Sequence, residues 1–104
     1  MGHFRCKKRH LRYSIRVTIN GVRYRQVEIC RHYEEKHSND INDSLILELI
    51  AELEGLYLSL DAERIVGQRK LSYFAANVAH EKSVYRLVWR VVRGRIKLLV
   101  VNCF

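Results

Sequence analysis

The sequence predicts an α+β domain: one mostly antiparallel β-sheet with one main helix packed on one face, in the order ββαβββ. Three observations predict it. Alternating apolar and polar residues bracket an Asn-Gly pair near the N-terminus. A stripe of leucines and isoleucines at spacings of four and three runs through the middle. A second pair of alternating runs flanks Arg93-Gly94 near the C-terminus.

In the first hairpin, Leu11, Tyr13, Ile15, Val17 and Ile19 alternate with Arg12, Ser14, Arg16, Thr18 and Asn20. Asn20-Gly21 suits a two-residue type I′ turn, which needs positive φ at both positions. Closing the hairpin there pairs Ile19 with Val22, Val17 with Tyr24 and Arg16 with Arg25. One face then holds Tyr13, Ile15, Val17, Ile19, Val22 and Tyr24, and the other holds Arg12, Arg16, Arg23 and Arg25. Like charges directly opposed in a sheet repel. The arginine face is therefore expected either to hold an anion or to splay its side chains into water.

Residues 31–39 are polar and read as a connection. The helix is expected over residues 40–60, with Ser38, Asn39 or Asn42 as N-cap and Asp40 and Asp43 at the positive end of its dipole. Ile41, Leu45, Leu49, Leu53, Leu56 and Leu60 form its buried stripe, and Gly55 ends or loosens it. Residues 61–70 read as a loop, 71–79 as a strand and 79–82 as a turn.

Residues 83–92 and 95–104 form the last hairpin around Arg93-Gly94. A two-residue turn there puts Tyr85, Leu87, Trp89 and Val91 on one face with Ile96, Leu98, Val100 and Asn102. Arg86, Val88, Arg90, Arg95 and Lys97 take the other face. Residues 1–10 are a basic arm, and residues 11–104 are expected to be a single α+β domain.

Charge is divided along the chain. Residues 1–36 carry ten Lys/Arg against three Asp/Glu, residues 37–63 none against seven, and residues 64–104 nine against one, for a net charge of +8. A basic sheet backed by an acidic helix attracts polyanions on one side only, so nucleic acid is the first partner to consider. No apolar run reaches the length of a membrane span, and the basic start has no apolar stretch of a secretory signal after it. Three cysteines without a C-x-x-C pair favour reduced thiols, hence a cytoplasmic protein.

The sequence holds no glycine-rich phosphate loop, no H-E-x-x-H and no G-x-S-x-G. Its His and Cys spacings fit no common zinc pattern, so no metal or cofactor is expected. What remains is metal-free chemistry on RNA. Cleavage by the neighbouring 2′-hydroxyl needs a base, an acid and cations around the crowded phosphorus. His32, His37 and His80 are the candidate proton-transfer groups, with Tyr73 and Tyr85 as auxiliaries. Arg12, Arg16, Arg23, Arg25, Arg86, Arg90 and Lys97 are the candidate phosphate contacts. The plainer reading makes each histidine a surface residue and Tyr73 and Tyr85 core or rim aromatics. Trp89 reads as core.

His32-Tyr33, Lys36-His37, Ile41-Asn42-Asp43, Tyr85-Arg86-Leu87-Val88-Trp89 and Leu99-Val100-Val101-Asn102 resemble small toxins of bacterial type II toxin–antitoxin modules. The resemblance is to the RelE/ParE superfamily, with its MqsR-like and HigB-like members, over roughly residues 30–104. It implies a RelE-like fold and a metal-independent endoribonuclease acting on mRNA, often on the ribosome. It also implies an acidic antitoxin protein that covers the basic site. The ParE branch instead poisons gyrase, so a protein target is an alternative, as is a nucleic-acid-binding module without catalysis. Two departures stand out: here a hairpin precedes the helix, and the chain as given stops at Phe104, where many members add a basic or aromatic tail. Exposed edge strands leave pairing into a homodimer open.

Overall fold

The structure, a computed structural model, describes residues 10–30 and 41–104. They form an α+β fold with one mixed six-stranded sheet and a single helix. The elements are β1 (His10–Ile19), β2 (Val22–Cys30), α1 (Asp43–Ala51), β3 (Ala62–Val66), β4 (Arg69–His80), β5 (Ser83–Val92) and β6 (Lys97–Cys103). The spatial order is β1-β2-β6-β5-β4-β3. The N-terminal hairpin and the C-terminal meander meet at the parallel pair β2–β6, and every other pair is antiparallel. Among the described residues, no helix is long and apolar enough to cross a membrane.

The first hairpin closes where its sequence directs. Asn20 and Gly21 take φ of 54° and 77°, and Ile19 pairs with Val22 and Val17 with Tyr24. Beyond Val17 the register slips: Ser14 opposes Gln26, so Ile15 and Arg16 together face Arg25. The N–H groups of Arg25 and Gln26 both point at the Ile96 carbonyl, at 2.9 and 3.4 Å. This irregularity moves the buried phase of β2 from Tyr24 to Val27 and Ile29. Val22, expected on the apolar face, is 42% exposed.

Asn42 is the N-cap of α1, its side chain accepting the Leu45 N–H at 2.8 Å. The helix is shorter than its apolar period suggests. Its last turn tightens through Leu53 N–H to the Ile50 carbonyl and Glu54 N–H to the Ala51 carbonyl. The chain then leaves for the open edge of β1. Gly55, at φ 77°, donates to the Thr18 carbonyl at 2.7 Å, and Asn20 N–H donates to the Leu56 carbonyl at 2.9 Å. Backbone groups of an edge strand need partners, and here they outcompete continued helix. Leu56 and Leu60, expected on the helical stripe, are instead about half exposed and outside it.

The order ββαβββ is corrected by one strand. Residues 62–66, expected as loop, form β3, which pairs with β4 across the two-residue turn Gly67-Gln68. Gly67 takes φ 63° there. The β5–β6 connection spans residues 93–96 rather than a two-residue turn, which pairs Val91 with Leu98. A slip of two keeps Leu98 and Val100 on the expected face. A bulge after Val88 then puts Cys103, not Asn102, into the core.

The core lies between α1 and the sheet. Ile46, Leu49, Ile50 and Leu53 pack on Val17, Val27, Ile29, Phe74, Leu87, Trp89, Leu98 and Val100. Trp89 stacks on Phe74 with ring centroids 5.6 Å apart. On the opposite face Cys30, Leu99 and Val101 form a second, smaller buried cluster. Cys30 is disulfide-bonded, whereas Cys103 is free and buried. That corrects the expectation of reduced thiols throughout and removes the ground for expecting a reducing compartment.

Candidate nucleic-acid interface

Strand registers line up a continuous row across the face opposite α1. Arg12 pairs with Glu28, Glu28 with Leu99, Leu99 with Arg90, Arg90 with Tyr73, and Tyr73 with Ala62. All six strands contribute one residue. Alternation then places Lys97, Arg69 and Arg86 on the same face, two or four residues along their strands.

Glu28 stands at the centre of this row and is only 8% exposed. Its Oε1 accepts from Lys97 Nζ at 2.7 Å and pairs with Arg12 Nε at 3.0 Å. A carboxylate removed from water needs such partners. Beside it lies a pocket of about 160 Å³, walled by Arg69, Arg90, Arg95, Lys97 and Glu28 over Val92 and Leu99. Four cations against one carboxylate make its lining strongly positive. Among the described residues, two buried polar atoms on this face have no hydrogen-bond partner: Arg90 Nε and the Tyr73 hydroxyl. At the far end of β5, Arg86 donates to Asn77 Oδ1 at 3.2 Å.

The other face is different in kind. Tyr13 donates to Asp43 Oδ2 at 2.6 Å, Thr18 N–H donates to Glu54 Oε1 at 3.2 Å, and His80 Nε2 lies 2.8 Å from Glu48 Oε2. The acidic helix thus occupies itself with β1 and β4. Beyond the helix, a wider cavity of about 470 Å³ is lined by Val22, Tyr24, Phe74, Val91 and Ile96, with Lys70 and Glu63 at its rim. Burial pushes the Tyr24 hydroxyl up from its ordinary value and the Cys103 thiol up to about 11, both on this side.

The structure divides the sequence-predicted site residues. Arg12, Arg86, Arg90, Lys97 and Tyr73 come together opposite α1. Arg16, Arg23 and Arg25 are exposed on the neighbouring hairpin. His80 and Tyr85 lie on the α1 side: His80 faces Glu48, and Tyr85 pairs with Val78 and packs on the core. The thickness of the sheet separates them from Arg90 and Lys97, so they cannot share one phosphate with those cations. His32 and His37 lie outside the described residues.

Sequence reasoning missed Arg69, Arg95 and Glu28. Arg69 fell in a stretch read as loop. Arg95 was placed on the basic strand face but not among the phosphate contacts. Glu28 carried a visible signal: it is the one carboxylate in the run Val27-Glu28-Ile29-Cys30.

No family model, no curated protein and no solved structure matches this chain.

Proposed function

We propose that the protein binds single-stranded RNA across the sheet face opposite α1. The observation that carries this reading is the six-strand row with its adjoining pocket, where Arg12, Arg69, Arg90, Arg95 and Lys97 gather around a single buried carboxylate. Phosphate neutralisation by such cations supplies affinity, and their planar guanidinium groups suit phosphate oxygens. Tyr73 adds an aromatic surface on the same face. The acidic α1 side repels the same ligand, which favours the opposite face.

Cleavage of mRNA, implied by the likeness to RelE-type toxins, goes further than binding. His80 faces Glu48 on the α1 side, which favours His32 and His37 as its proton-transfer candidates. An acidic antitoxin would compete for the same cations.

The test is titration of isotope-labelled protein with a short single-stranded RNA, followed by amide shifts, with a parallel incubation in EDTA run on a sequencing gel. The expected result is perturbation at Arg90, Lys97 and Leu99 with α1 unmoved. Shifts confined to α1, or none, would overturn the reading. Discrete cuts in EDTA would add the nuclease activity to it.

A further inference from the structure

We infer that the pocket between Arg69, Arg90, Arg95 and Lys97 seats a phosphate monoester, the terminal phosphate of a nucleic-acid strand. This rests on the reading of the surrounding face as an RNA interface, and it specifies which phosphate the pocket takes.

Size permits it. A pocket of about 160 Å³ has room for a tetrahedral oxyanion. Charge decides next. Glu28 is already engaged by Lys97 and Arg12, and among the described residues no carboxylate pairs with Arg69, Arg90 or Arg95. A monoester brings close to two negative charges near neutral pH and three unesterified oxygens. An internal diester brings one charge and two such oxygens, and its chain has to enter and leave the pocket.

The unpartnered donor points the same way. Arg90 Nε is buried with no acceptor, which costs free energy until an oxygen reaches it. Position agrees. Arg69 opens β4, and Arg95 lies in the β5–β6 connection. Leu71 pairs with Val92, so both arginines sit at the same end of the sheet. A strand laid along the basic face would finish there.

The ligand chemistry has two sources, a 5′-phosphate or a 3′-phosphate, and the experiment separates them. Fluorescence anisotropy would compare one internally labelled single-stranded RNA carrying a 5′-phosphate, a 3′-phosphate or hydroxyls at both ends. The expected result is that one phosphorylated form binds roughly tenfold more tightly than the hydroxyl form. Arg90→Gln and Arg95→Gln should each abolish that gain, whereas Arg23→Gln should weaken all three forms alike. Arg95 lies outside the strands, so its variant keeps the test open if Arg90→Gln fails to fold by circular dichroism.

If hydroxyl-ended RNA binds and neither phosphate helps, the pocket inference fails while the RNA reading stands. If no RNA binds, yet inorganic phosphate gives a saturable phosphorus-NMR shift that Arg95→Gln removes, the RNA reading fails and the phosphate seat stands. Failure of both titrations overturns both.

Discussion

Tyr73 and Arg90 oppose each other directly across β4 and β5, and the hydroxyl of one and the Nε of the other are both buried without a partner. Unsatisfied groups at a cross-strand pair lower the stability of the free protein and favour a ligand that brings oxygens. Tyr73→Phe removes one of them. Unfolding in urea should show stability unchanged or raised by up to about 1 kcal/mol. RNA affinity of the same variant should fall severalfold. Destabilisation by more than about 1 kcal/mol would mean that the hydroxyl has a partner in solution.

Glu28→Gln tests the opposing charge on the face. The variant keeps the side-chain volume but releases Lys97 and Arg12 from their shared carboxylate. Both cations are substantially exposed, so water takes over part of the interaction and the expected loss of stability is about 1 kcal/mol. RNA should bind more tightly, with a steeper dependence on salt, because one negative charge has left the surface. Weaker RNA binding by a folded Glu28→Gln protein would show that the carboxylate itself meets the RNA.

His80 tests the separation of the two faces. Its pair with Glu48 is partly exposed on both sides and is worth at most about 1 kcal/mol. His80→Gln should leave RNA binding unchanged, and any cleavage as well. A folded variant that binds RNA but no longer cuts it would put the chemistry on the α1 side.

Much of the fold was legible because local signals and tertiary packing agree there. Asn20-Gly21 with strict alternation specified β1 and β2, and the alternation in 83–92 specified β5. Three features needed information that a local window lacks. Leu53, Leu56 and Leu60 keep a helical period, yet the edge of β1 captures the backbone at Gly55 and Leu56. β3 is short, charged and exposed over most of its length, so it has no alternation to read. The parallel pairing of Val27 with Leu98 joins residues far apart in sequence. That pairing brings Glu28 beside Lys97, so the centre of the candidate interface was hidden for the same reason. The division of His80 from Arg86 and Arg90 follows from strand phase once β4 is in register with β5.

Cys103 sets an alkaline limit on stability. Its thiol is raised from 9.0 to about 11 by burial, so the folded state holds the proton more tightly than the unfolded state. The contribution is intact below pH 9.0 and is lost as pH rises toward 11, by about 1.4 kcal/mol per unit at most. The raised Tyr24 hydroxyl acts in the same direction above its ordinary 10.0. Urea midpoints across this range should therefore fall, and Cys103→Ala should fall less steeply. Parallel curves for the two proteins would contradict the assignment.

The measurement that bears most directly on the account is the salt dependence of single-stranded RNA binding, for the native chain and for a variant with Arg90→Gln and Lys97→Gln. For the native chain, log K should fall steeply and linearly with log salt. The slope of the variant should be shallower by about 0.7 for each cation removed, with the fold intact. An unchanged slope in the variant, or no salt-dependent binding by the native chain, would contradict the claim that RNA lies across the face opposite α1.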